Sequence, residues 1–134
     1  MEDANKKTVT FGLIALIIII GLLVYAFRAS NGPSKLDGFA QCLKEKGALF
    51  YGAFWCSHCQ NQKALFGGSK KYLPYIECST PDAKGQLPIC AANKIASFPT
   101  WVFPDLSTTT GEVTLAVLSE KTGCALPNEN DAAK

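Results

Sequence analysis

The sequence predicts a small α/β domain with a mixed central sheet, preceded by one N-terminal transmembrane helix. Three observations predict it. An uninterrupted apolar run fills residues 9–27. Behind it, strand-like and helix-like segments alternate. A Cys-Ser-His-Cys motif at 56–59 falls where a buried strand gives way to a helix. The length of 134 residues limits the chain to one domain.

The apolar run from Val9 to Phe27 carries no charge. At ~1.5 Å per residue it spans about 28 Å, close to the hydrocarbon core of a bilayer. A cleaved signal peptide is the competing reading. Such peptides have apolar stretches of only ~7–15 residues, and Phe27-Arg28-Ala29 is a poor cleavage site. The expectation is a cytoplasmic N-terminus over 1–8, a single-pass anchor over 9–27 and a polar linker over 28–35. Lys6 and Lys7 precede the run and Arg28 and Lys35 come after it, so positive charge biases orientation only slightly. The cysteines decide it. Six in a short chain suggest disulfides, which persist in oxidising compartments. The domain is therefore expected at the cell membrane on its extracytoplasmic side, periplasmic or extracellular. The competing reading is a reduced cytosolic protein with buried thiols.

The domain is read over 36–125. Leu36, Phe39, Ala40 and Leu43 mark one face of a helix stopped by Gly47. ALFYGAF (48–54) reads as a buried strand. WCSHCQNQKALF (55–66) reads as a helix closed by Gly67-Gly68. LPYIEC (73–78) is a second strand, and QLPICAANK (86–94) a short helix. TWVF (100–103) is a third strand, and a turn at Pro104-Asp105 leads to a fourth near 107–112. A last helix runs from Thr114 to Thr122, with Gly123 as its stop. The tail over 126–134 is polar and expected to fray.

From position 36 on, Lys and Arg equal Asp and Glu at nine each. That balance gives no field to recruit nucleic acid or an acidic substrate.

The chemistry centres on Cys56 and Cys59. The first turn of a helix carries unpaired N–H groups and the positive end of the dipole. A thiolate at Cys56 would be stabilised there, and the thiolate is the attacking species in disulfide exchange. Two intervening residues, Ser57 and His58, let Cys59 reach back across one turn and resolve a mixed disulfide. His58, when protonated, would favour the reduced form and make the disulfide more oxidising. A zinc site is the rival reading, but structural zinc wants four ligands. No second Cys-x-x-Cys exists and His58 is the only histidine, so no metal is expected. A plain structural disulfide is the third reading. Trp55 is either core or an apolar rim beside the sulfur. Pro99 opens the third strand, where no ladder donor is needed. By frequency alone its peptide bond would be trans, since ~5–6% of X-Pro bonds in folded proteins are cis.

The stretch ALFYGAFWCSHCQNQKALF (48–66), with YIEC, the cysteine before FPTWVF (98–103) and the terminal Gly123-Cys124, resembles a known family. It is similar to the thioredoxin-like domains fused to, or encoded beside, bacterial vitamin K epoxide reductase homologues. The resemblance covers most of 36–124. It implies a thioredoxin-like three-layer sandwich with Cys56 as nucleophile and Cys59 as resolving thiol. Pro99 would be a cis-proline facing Cys56, and the Phe98 backbone would pair with a bound peptide. No cofactor is implied beyond the cysteine pair. The implied direction is oxidation: electrons pass from exported cysteine-containing proteins to a quinone-linked, vitamin K epoxide reductase-like membrane partner. That four-helix reductase is not in this sequence, so the partner would be separate. Ser57-His58 stands where such oxidases often carry Pro-His. The buried acid of cytosolic thioredoxins would fall at Phe50, so that aid to proton transfer is missing.

The four remaining cysteines allow three pairings. The pairs expected are Cys78–Cys90, tying a strand end to the next helix, and Cys42–Cys124, joining the ends of the first and last domain helices. The alternative makes Cys78 and Cys90 a second redox pair that relays electrons. Two function classes remain: a membrane-tethered thiol–disulfide oxidoreductase, or a non-catalytic module serving metal delivery or docking.

Overall fold

The computed structural model describes residues 2–31 and 34–127, with side chains over 11–28 and 34–127. The chain divides into two compact units, Met1–Gly32 and Pro33–Lys134. The first is a single helix, α1 (Glu2–Asn31). Within it, Phe11–Arg28 is long and apolar enough to cross a membrane. Residues 28–31, read as linker, are helical. Nothing from Arg28 to Asn31 breaks a helix, and the breakers come only at Gly32-Pro33.

The second unit starts with α2 (Asp37–Glu45), which buries Phe39, Ala40 and Leu43. Gly47 ends this segment at φ +82°, a conformation open to glycine. The sheet has four strands: β1 (Leu49–Gly52), β2 (Tyr75–Glu77), β3 (Thr100–Val102) and β4 (Thr108–Thr110), in the order β2-β1-β3-β4. β1 runs parallel to β2 and antiparallel to β3, and β3 runs antiparallel to β4, so the sheet is mixed. The helices α3 (Ser57–Ala64), α4 (Pro88–Ala92) and α5 (Leu115–Thr122) complete the unit.

Strand alternation sorts the side chains into two cores. Phe50 and Trp101 stack at 4.9 Å on one face of the sheet. They join Phe39 and Leu43 of α2, Phe66 and Leu118 in the larger core. Leu49, Tyr51, Ile76 and Val102 point the other way and pack with Cys90 and Ile95 in the smaller one. The sheet is thus the middle of three layers, with α4 on one side and α2, α3 and α5 on the other. This is a thioredoxin-like α/β fold.

Three local features differ from the sequence reading. The segment after α3 does not leave helix at Gly67-Gly68; it re-enters a 3-10 helix, Gly67–Tyr72. The helix read over 55–66 starts only at Ser57, which leaves Trp55 and Cys56 ahead of it. Leu126, assigned to the tail, is half-buried against the larger core. An apolar side chain beside a cysteine held by a disulfide has a surface to cover. Residues 128–134 of that tail lie outside the described residues.

Candidate active site

β1 ends at Gly52, and the chain turns before α3. The Cys56 N–H donates to the Ala53 carbonyl at 3.1 Å. Cys56 is the N-cap of α3, in extended conformation, and its Sγ accepts from the Cys59 N–H at 3.3 Å. An anionic sulfur accepts such a bond more strongly than a neutral thiol, and the helix N-terminus adds its positive end. Cys56 is 6% exposed and Cys59 fully buried, so Cys56 lies nearer the surface of the two. These two cysteines are unbonded, whereas Cys42–Cys124 and Cys78–Cys90 form disulfides. Cys78 and Cys90 are fully buried. Burial pushes the Cys59 thiol up to about 12, with its hydrogen bond to Cys56 adding to the effect and the Lys63 charge opposing it.

Beneath Cys59 the packing is tight. A Cβ on Gly52 would stand 2.8 Å from Tyr75 Cε2 and 3.0 Å from Cys59 Sγ, so only glycine fits there. The Tyr75 hydroxyl donates to Glu77 Oε2 at 2.7 Å. Burial raises the Tyr75 phenol above its usual range, and the hydrogen bond to Glu77 adds to that. Glu77 Oε1 accepts backbone N–H bonds from Phe54, Cys78 and Ser79 at 3.2, 3.1 and 2.9 Å. Burial lowers the Lys63 ammonium below its usual range, while the Glu77 and Cys59 charges oppose that. An ionisable group, Lys63–Tyr75–Glu77, therefore stands near Cys59, although Phe50 holds no acid. Sequence reasoning missed all three. One signal was available: Lys63 lies four residues beyond Cys59, which puts both on one helix face.

Around the rim, His58 and Ser57 are exposed. His58 Nδ1 lies 2.6 Å from Glu112 Oε1, and Asn61 Nδ2 donates to the same oxygen at 3.0 Å. The hydrogen bond from His58, then that from Asn61, holds the Glu112 carboxyl below the usual carboxylate range. The imidazole is thus engaged by a carboxylate that sequence reasoning did not single out. Buried Gln62 fixes the segment carrying Glu112: its Nε2 donates to the Val113 carbonyl at 3.0 Å, and its Oε1 accepts the Val113 N–H at 2.6 Å. On the other side, half-exposed Trp55 donates its indole N–H to Ser79 Oγ at 2.8 Å and meets Phe98 edge-on at 6.2 Å. The Phe98–Pro99 bond is cis and Pro99 is buried. The frequency argument pointed to trans, because it averages over sites and knows nothing of tertiary contacts. Among the described residues, no three or more His, Cys, Asp or Glu stand together to hold a metal.

Thiol-disulfide oxidoreductase LTO1 of Arabidopsis thaliana is 46% identical to this chain over 108 residues. The match covers 77% of the chain. The chain spans 28% of that relative. A match of this extent takes in residues 56–99 whichever end it favours, and so includes the Cys56–Cys59 motif, Cys78, Cys90 and the cis-proline. No family model matches the chain. The likeness to an oxidoreductase and the thioredoxin-like fold thus meet at one place: a sulfur on a helix cap near the surface with a fully buried thiol behind it.

Proposed function

We propose that the chain is a thiol–disulfide oxidoreductase that exchanges disulfides with exported proteins through Cys56 and Cys59. The observation that carries this is the contrast among the six cysteines. Four are bonded, and the two left unbonded are the capping sulfur of α3 and the thiol one turn behind it. The similarity to a relative named as a thiol-disulfide oxidoreductase supports the same reading.

In the oxidising direction a client thiolate attacks Cys56 Sγ and the Cys56–Cys59 bond breaks, with Cys59 as the leaving group. A second client thiolate then attacks the client sulfur of the mixed disulfide and releases Cys56. The client gains a disulfide, and Cys56 and Cys59 are left as thiols. A vitamin K epoxide reductase-like membrane partner re-oxidises them, and no cofactor beyond the cysteine pair is needed. The apolar helix Phe11–Arg28 anchors the chain, and the two further disulfides suit an extracytoplasmic domain, where such bonds persist. Both bridges are structural in this reading: Cys78–Cys90 is fully buried, and Cys42–Cys124 ties α2 to the chain just after α5.

Replacing Cys59 with Ser in the full chain tests the proposal. Mixed disulfides between Cys56 and client proteins should accumulate on non-reducing gels and vanish in Cys56→Ser. An absence of adducts, together with tight metal binding by the purified protein, would instead favour a metal-delivery or docking module.

A further inference from the structure

Glu112 reaches the active-site helix from the segment between β4 and α5. Its Oε1 lies 2.6 Å from His58 Nδ1, and Asn61 Nδ2 donates to that same oxygen at 3.0 Å. The next residue, Val113, is buried, and Gln62 holds both its N–H and its carbonyl. Three side chains of α3 therefore set where this carboxyl stands. The hydrogen bonds from His58 and then Asn61 keep it below the usual carboxylate range, so at neutral pH it is ionised and only accepts. A hydrogen bond from Nδ1 to such an oxygen requires the ring proton on Nδ1. In the neutral imidazole Nε2 is then the bare nitrogen, and His58 is exposed. A carboxylate that fixes tautomer and ring orientation in this way is a working part of several proton-transfer sites.

We propose that Glu112 is a positioning residue for disulfide exchange: it fixes His58 with Nε2 bare, and Nε2 takes the proton of an incoming thiol. The inference rests on the oxidoreductase reading and adds a proton acceptor to it. His58 lies in the first turn of α3, two residues after the capping Cys56. The thiol proton passes to Nε2, and the electron pair left on the sulfur forms the bond to Cys56 Sγ. The Cys56–Cys59 bond breaks, and Cys59 leaves with its electron pair. Burial favours the neutral form of Cys59, so the proton returns to that sulfur from the imidazolium through solvent. The ring thus makes a thiolate where solution supplies few, since at pH 6.5 roughly 1% of an ordinary cysteine is ionised. Glu112 is the charged group that faces the ring from outside α3. Cys56 and Cys59 share its helix, and the remaining ionisable groups, Lys63, Tyr75 and Glu77, stand together near Cys59.

The test measures how fast N-acetylcysteine amide, a thiol with no other charge, opens the Cys56–Cys59 disulfide of the oxidised full chain in detergent. The rate is followed across the range in which that thiol ionises. Glu112→Ala and His58→Ala should each react about tenfold more slowly than wild type near pH 6.5, inside the ~100-fold ceiling set by the ionised fraction. The three proteins should converge above about pH 9.5, where the thiol is already ionised and needs no acceptor. The double variant should be no slower than His58→Ala, because Glu112 acts through the ring. A ratio of variant to wild type that stays constant with pH would mark a merely structural role and overturn the proposal. Equal rates near pH 6.5, or a double variant slower than His58→Ala, would overturn it as well. Failure of the wild-type disulfide to react at any pH would instead overturn the oxidoreductase reading, and this inference with it.

Discussion

Lys63 Nζ lies 3.3 Å from the centre of the Tyr75 ring, one helical turn beyond Cys59. That position puts a cation over an aromatic face while its charge favours the thiolate of Cys59. Cys59 must lose its proton to resolve a mixed disulfide, and burial opposes that loss. Lys63→Met should therefore slow resolution about tenfold, less than the ~100-fold or more of a general base, since Lys63 acts on Cys59 through its charge alone. The first attack on Cys56 should be unaffected. Rapid-quench trapping of a glutathione adduct separates the steps, and equal adduct lifetimes in both proteins would remove Lys63 from the mechanism.

The raised Cys59 thiol predicts an alkaline effect on stability. Its folded value, about 12, lies above the ordinary value of 9.0, so folding favours the neutral thiol. The contribution is intact below about pH 9 and is lost as pH rises toward 12. Urea midpoints of the reduced protein should fall across that window, and fall less in Cys59→Ser. Tyr75 shifts in the same direction but is common to both proteins, so the difference isolates the thiol. Alkylation of the reduced protein near pH 8 should label Cys56 well before Cys59.

Gln62 is fully buried and holds both backbone groups of Val113. Gln62→Leu keeps the bulk and removes both bonds, which leaves a buried N–H and a carbonyl unpaired. The loss should be about 2–6 kcal/mol, at about 1–3 kcal/mol for each of the two unsatisfied groups. The adjoining Glu112 would also lose its position against His58. Chemical denaturation reads the first effect, and the His58 ring signals in NMR read the second.

The two disulfides should differ in what they contribute. Cys42–Cys124 closes a separation of 82 residues and Cys78–Cys90 one of 12. In the entropic model the longer loop is worth about 4.5 kcal/mol and the shorter about 3 kcal/mol. Replacing Cys42 and Cys124 by Ala should lower stability more than replacing Cys78 and Cys90. Equal losses in paired melts would show that the unfolded chain is not the main target of the longer bridge.

Much of this fold is legible in the sequence because its cues are local. Helical spacing of Phe39, Ala40 and Leu43 defines α2, and the apolar run from Ala48 defines β1. Gly123 stops α5, with φ +72° at that residue. Placement of Cys56 at a helix start also comes from adjacent residues alone. The 3-10 helix Gly67–Tyr72 escapes such reading. A double glycine is an ordinary stop signal, and the chain turns back into helix there because Phe66 and Ser69 are buried beneath it.

The amino-acid order alone determined the apolar helix, the strand–helix alternation and the position of the motif, because periodicity and turn chemistry act over a few residues. Tertiary structure decided what surrounds the sulfurs. Glu112 reaches His58 across 54 positions and Ser79 reaches Trp55 across 24. Position 52 requires glycine because Tyr75 from the neighbouring strand and the Cys59 sulfur both fill the space a Cβ would take. Sheet pairing and core packing create these contacts, and the free energy that selects them is summed over the whole domain rather than carried by any local pattern.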